Sequence, residues 1–204
     1  MKWKPMVRKR VPAQHEGKRQ AILAAAHSCI LRHGLQGASI SMICKEAAMS
    51  PGHLYHYFPS KDAIIEQMAD DYLAQLHAHF SGHAEGSQTS TVLLSELWSM
   101  KGWDDLSHCR ILFELLAEAG RNEKIHAILQ ENTNGVRQLL AATLVAGQRR
   151  GEVDPGLDPQ QASAVLVAVL DAAPMLPLLV PGIDFEESRA LITTMVDRFL
   201  RPEK

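Results

Sequence analysis

Residues 39–61 read Ser39-Ile40-Ser41-Met42-Ile43-Cys44-Lys45-Glu46-Ala47-Ala48-Met49-Ser50-Pro51-Gly52-His53-Leu54-Tyr55-His56-Tyr57-Phe58-Pro59-Ser60-Lys61, and their punctuation decides the fold. Ser39 or Ser41 can cap a short helix over 41–48, because a serine hydroxyl accepts from amides that a first helical turn leaves open. Ser50 before Pro51 restarts a helix, since proline at the first helical position gives up an N–H that has no partner there. This third helix covers 52–58 and is stopped by Pro59. Ser60 then caps a long fourth helix over 61–83. Two short helices joined by a brief turn make a helix-turn-helix, whose second helix enters the DNA major groove. Leu54 and Phe58, four apart, form its inward anchor. Gly52, His53, Tyr55, His56 and Tyr57 surround that anchor with small, hydrogen-bonding and aromatic groups. The positive end of the helix dipole at 50–52 suits phosphate, and Lys61 adds a point charge.

Outward from this segment, the pattern stays helical. Upstream, Ile22, Leu23, Ala26 and Ile30 form one apolar stripe on a helix starting at His15, with Gly34 suited to the left-handed position that ends it. Residues 1–14 hold Pro5 and Pro12 and no apolar period, and read as a flexible basic arm. Downstream, residues 82–90 are polar and contain glycine, so a domain boundary falls there. Beyond it the periodicity predicts helices at 89–101, 105–120, 122–150, 159–173 and 184–200. No segment alternates with period two. The expected fold is all-α with about nine helices: an arm over 1–14, a three-helix DNA-binding domain over 15–60, a connecting helix over 61–83 and a helical domain over 84–204.

The charge is divided along the chain. Residues 1–61 carry ten Lys/Arg against Glu16 and Glu46, a net +8, while the remainder has 11 basic and 21 acidic residues, a net −10. Such asymmetry suits an N-terminal third that meets a polyanion, although a basic segment is equally compatible with a solvated tail. Arg8, Lys9 and Arg10 could follow phosphates or the minor groove, or simply trail in solvent.

At residues 39–62 the sequence resembles the TetR (tetracycline repressor) family of bacterial transcription regulators. The family pattern of an apolar second helix, a serine, and L-Y-x-x-F-x-S-K leading into a long helix appears as Ile43-Cys44, Ser50 and Leu54-Tyr55-His56-Tyr57-Phe58-Pro59-Ser60-Lys61-Asp62. The likeness extends over about 18–70. It implies phosphate or base contacts from Pro51, Gly52, His53, Tyr55, His56 and Lys61, and backbone contacts from Ser39 and Ser41. It also implies a homodimer acting on double-stranded DNA, most often as a repressor on a palindromic operator, and a C-terminal domain answering to a small-molecule effector. The sequence departs from the pattern at Ala48, where glycine is usual, and at Cys44, where a small alanine is usual. The region of Glu114, Glu118, Arg121 and Asn122 resembles choline-response-type members.

Other constellations carry competing readings. Trp98, Met100, Trp103, Phe113 and Leu116 gather large side chains that could line an effector cavity or pack as ordinary core. Residues 162–173 are apolar nearly all round, and the last helix bears a broad apolar stripe. Burying both points to a dimer interface through Val165, Val169, Leu170, Leu191, Ile192, Met195 and Phe199, unless these residues fill the core of one chain. His79 and His83 share a helical face at a zinc-compatible spacing, but His77 lies elsewhere and a solvated helix is the reading adopted. Cys29 and Cys44 fall on inward positions as small hydrophobes, and Cys109 lies between His108 and Arg110, which could lower its pKa.

Several classes are set aside. Three cysteines at irregular spacing give neither a disulfide framework nor a zinc finger. No nucleophile elbow, phosphate loop or HExxH is present, so no enzyme, metal or cofactor is expected. Residues 162–180 are apolar enough to suggest a membrane span, but Asp171 near the centre would cost about 2.5–3.5 kcal/mol there, and Pro174 and Pro177 interrupt it. The basic start lacks an apolar run after it, and a cytoplasmic address is expected. The competing function is a DNA-binding architectural or protein-interaction module without an effector, which a filled core in the C-terminal domain would favour.

Overall fold

The computed structural model describes residues 12–81, 87–99 and 107–201, and all their regular structure is helical. The chain forms two compact units, the first ending at Met68 and the second beginning at Ala69. The predicted all-α fold is present, and its helices stand close to where the periodicity puts them.

The first unit holds α1 (Pro12–Gly37), α2 (Ile40–Glu46), α3 (Pro51–Tyr55) and the start of α4 (Lys61–Ser81). Ile22, Ala26, Ile43, Leu54 and Ile64 are almost wholly buried here. The helix expected from His15 already begins at Pro12, so residues 12–14 belong to it rather than to an arm; the rest of the arm lies outside the described residues. Gly34 does not end α1 as a simple cap. With φ 71° and ψ 168° it breaks the helix in a conformation open to glycine, and one further turn follows before Ala38 N–H donates to its carbonyl at 3.0 Å.

The second unit holds the rest of α4, then α5 (Thr89–Ser99), α6 (Ser107–Ala119), α7 (Glu123–Arg150), α8 (Pro159–Ala172), a 3₁₀ turn (Ala173–Met175), α9 (Leu176–Leu179) and α10 (Phe185–Leu200). The 3₁₀ turn and α9 fill the stretch that periodicity left blank, Pro174 and Pro177 falling near their starts, where proline is tolerated. Leu93, Leu94, Leu140, Leu144, Leu166, Val196 and Leu200 form its core, with α7 and α8 packed most extensively.

Side chains close the helix ends in this unit. Asn122, Asp158 and Asp184 cap α7, α8 and α10, each accepting from amides of the first turn. Gly151 ends α7 in the left-handed region at φ 75°. Glu152, next in the chain, reaches the start of α5: its Oε2 accepts from Thr89 N–H at 2.9 Å and Thr89 Oγ1 at 2.6 Å. Arg150 donates to the same carboxylate at 2.9 and 3.0 Å. These donors, the Arg150 guanidinium foremost, hold the Glu152 carboxyl down at about 2.

α8 is not covered on every side within one chain. Val165 is 53% exposed, while Leu166 and Val167 face the core. Among the described residues, no helix is long and apolar enough to cross a membrane.

Candidate nucleic-acid interface

The helix-turn-helix is built from two caps and one anchor. Ser39 Oγ accepts from Met42 N–H at 3.3 Å and starts α2; Ser50 Oγ accepts from His53 N–H at 3.3 Å and starts α3. Between them Ala48 takes φ 51°, the left-handed conformation that glycine would adopt without cost. The departure seen in the sequence thus falls at the one described non-glycine residue with positive φ. The turn keeps its geometry at the expense of strain.

Leu54 is 0% and Phe58 3% exposed, so the four-residue spacing anchors α3 as expected. That anchoring turns Pro51, Gly52, His53, Tyr55 and His56 to solvent, with Tyr55 half exposed at 50%. An exposed tyrosine beside two exposed imidazoles offers donors, acceptors and aromatic faces on one short helix, the equipment for reading base edges. A Cβ on Gly52 would meet nothing within 4 Å, so the glycine keeps that surface low without being required by packing.

Ser39 and Ser41 are also exposed, and their hydroxyls lie 2.8 Å apart. The bond between them uses one of the two hydroxyl protons, so the other remains to donate to a phosphate oxygen. Lys61 is half-buried, and its Nζ donates to the Leu35 carbonyl at the end of α1. It therefore ties the last turn of α1 to the start of α4 as well as carrying charge.

The rest of the unit holds this surface in place. Arg32 and Glu46 pair at 2.6 Å, and Ser28 Oγ donates to the same carboxylate at 3.3 Å. Arg32's hydrogen bond chiefly holds the Glu46 carboxyl below the usual range. One of the two acids in the basic third is thus taken up by a pair linking α1 to α2. Cys29 and Cys44 are buried free thiols, as their inward positions predicted, and burial pushes the Cys44 thiol up, away from reactivity.

Sequence reasoning missed the aromatic closure of the site. The Tyr57 ring lies 4.7 Å from that of His15 and 5.4 Å from that of His53, centroid to centroid, while Arg19 sits 5.1 Å over Phe58. The signal was available: His15, Arg19, Ile22 and Ala26 share one face of α1, but the polar pair was not read as part of the stripe.

In the second unit, only two of the five residues named for an effector cavity have described side chains. The side chains of Trp98, Met100 and Trp103 lie outside the described residues; Phe113 is half-buried and Leu116 is 47% exposed. A groove of about 470 Å³ lies between α4 and α7, lined by Leu73, Ala127, Gln130, Glu131, Asn134, Gly135 and Gln138. Gly135 makes the close approach possible, since a Cβ there would collide with the Leu73 side chain. Glu118 is buried and takes Arg121 Nε at 2.7 Å, drawing the end of α6 onto the start of α7.

Among the dimer candidates, Val165, Leu191 and Met195 are exposed, at 53%, 71% and 47%. Leu170, Ile192 and Phe199 are half-buried against the core, and Val169 is also half-buried. His79 Nε2 lies 2.8 Å from Ser95 Oγ; His83 and the Cys109 side chain fall outside the described residues. No group of metal-binding side chains is found among the described residues.

Comparison with known proteins agrees with this geometry. The family model for bacterial regulatory proteins of the TetR family matches residues 22–68, and that for the C-terminal part of BetI-type transcriptional repressors matches 102–201. The chain is 28% identical over 149 residues to the Escherichia coli K12 HTH-type transcriptional regulator UidR, covering 73% of this chain and 76% of that one. It is 29% identical over 156 residues to the A-factor receptor protein of Streptomyces griseus, covering 73% of this chain and 51% of the receptor. Salmonella enterica GusR superposes with a TM-score of 0.77 at 27% identity, over 90% of this chain and 95% of that one. A capped helix-turn-helix with an outward Tyr55, followed by a helical domain matched over residues 102–201, places this chain in the TetR family of DNA-binding transcription regulators.

Proposed function

We propose that this regulator is a ligand-responsive repressor that binds a palindromic operator as a homodimer. The observation that carries the reading is the exposed face of α3, with Pro51, Gly52, His53, Tyr55 and His56 outward from the buried Leu54–Phe58 anchor. Ser39, Ser41 and Lys61 would contact phosphates beside it. A phosphate contact orients the protein, and the α3 side chains would then discriminate bases.

The second copy is argued from apolar surface. Leu191 and Met195, four apart on α10, and Val165 on α8 are apolar side chains in water within one chain. Pairing these faces about a two-fold axis removes them from solvent and presents two recognition helices to two half-sites. Val169, Leu170, Ile192 and Phe199, half-buried in one chain, would complete the contact.

An effector would act by binding one arrangement of the dimer more tightly than another, because a ligand shifts an equilibrium only through differential affinity. α4 begins in the DNA-binding unit and ends in the regulatory unit, which makes it the covalent route for such coupling. The groove beside Gly135 is the candidate entry, and its amide-rich lining suits a small polar molecule. The A-factor receptor's name marks that relative as a receptor, which supports a ligand-responsive reading.

Sedimentation with and without duplex tests the assembly. The intact chain is expected to sediment as a dimer and to bind at two chains per operator half-site pair. Leu191→Arg, which places a charge on the shared face, is expected to yield a folded monomer with weakened operator binding. A dimeric Leu191→Arg variant would move the interface elsewhere. Equal, salt-sensitive binding to every duplex would instead favour the architectural module.

A further inference from the structure

We propose that His15 is a positioning residue of the DNA-reading surface, holding Tyr57, and through it His53, in the orientation that discriminates bases. This rests on the reading of α3 as the recognition helix. His15, Arg19, Ile22 and Ala26 follow one another down a single face of α1 at helical spacing. Ile22 and Ala26 are fully buried. One turn before them, the Arg19 guanidinium covers Phe58 and donates to Gln67 Oε1. One turn earlier still, the His15 imidazole packs on Tyr57 at 4.7 Å with the rings tilted by 44°. The adjacent residues that leave the end of α3, Tyr57 and Phe58, are thus each covered by a residue of α1.

Tyr57 in turn touches the exposed part of the reading helix. Its ring meets that of His53 at 5.4 Å and that of His56 edge-on at 5.6 Å, and His15 itself lies 6.5 Å from His56. His53 and His56 are exposed, whereas His15 and Tyr57 are half-buried. Exposed side chains on a helix of five residues have freedom that must be given up when they engage a base. A tyrosine gripped by α1 restricts His53 before DNA arrives, so less ordering is left for the complex. His15 therefore acts on base discrimination through Tyr57, without itself having to touch DNA.

The test uses the full chain, a randomised duplex pool, and the variants His15→Ala, His15→Phe, Tyr57→Ala and His15→Ala/Tyr57→Ala. The wild type selects a duplex from the pool, and anisotropy then compares that duplex with a scrambled duplex of the same composition. His15→Ala is expected to lower the ratio of the two affinities about tenfold. Affinity for the scrambled duplex and its salt dependence should stay unchanged. His15→Phe, which keeps a ring on Tyr57, is expected to restore the ratio, and His15→Ala should have no further effect once Tyr57 is alanine. An unchanged ratio in His15→Ala overturns the proposal, as does a loss that His15→Phe does not restore. A lowered melting temperature with the ratio intact marks His15 as a structural staple and overturns it too. If the wild type selects no duplex, the reading of α3 fails and the role of His15 falls with it.

Discussion

The two units of the chain reveal themselves in different ways. In the first, the proposed reading surface is a short helix whose exposed side chains project from a two-residue anchor, Leu54 and Phe58. In the second, the equivalent question concerns what packs against what. Leu191, which points to water, and Val196, which points to the core, are both apolar residues on the same helix. A surface that works by its own side-chain chemistry is visible in residue types. One that works by being covered or left open depends on neighbours distant in the chain.

At the helix ends, each unit solves one problem with a long-range or a strained device. Glu152 in the second unit closes the start of α5 from 63 residues away. Glu152→Gln is expected to cost about 2 kcal/mol at neutral pH, the scale of losing charge-assisted hydrogen bonds, measured by urea unfolding. The pH dependence follows from the sign of its shift. The folded carboxyl lies at about 2 against an ordinary 4.5, so its contribution is complete above 4.5 and is lost as pH falls toward 2. The variant should therefore lose the part of the acid-induced decline that the wild type shows in that window. An identical decline in both would remove Glu152 from the account.

Ala48 is the counterpart in the first unit and should give the smaller effect, of opposite sign. Its φ of 51° costs an alanine what a glycine does not pay. Ala48→Gly is expected to raise stability by about 0.5 kcal/mol, since relief of strain is partly offset by the freer unfolded glycine. Thermal melting of the two proteins checks this; a destabilised glycine variant would mean that the turn depends on the alanine methyl.

Most of the fold was legible because its punctuation is local. Ser50-Pro51 marks a helix start through bonds made within a few residues, and most expected boundaries lie within about two residues of those found; the start of α1 at Pro12 and the end of α3 at Tyr55 each differ by three, and Gly34 is a further exception. There, ψ of 168° reflects where the chain must go next, which the residue type does not encode. Of the candidate site, the outward set at 51–56 was legible from the Leu54–Phe58 spacing. His15 and Arg19 were not, because polar residues on a buried stripe look like surface until the Tyr57–Phe58 pair is placed beneath them. The groove at Gly135 was likewise hidden. Its signal is one of the two glycines within α7, whose meaning depends on Leu73 arriving from α4.

Whether α3 reads DNA through Tyr55 and its neighbours is decided by fluorescence anisotropy on Tyr55→Ala. The labelled probe is the duplex selected by the wild type, with a scrambled duplex as competitor at near-physiological salt. Tyr55→Ala is expected to weaken binding to the selected duplex by about 1–3 kcal/mol while leaving the circular dichroism spectrum and the competitor's affinity unchanged. Wild-type affinity for the selected duplex in a folded Tyr55→Ala protein would contradict it.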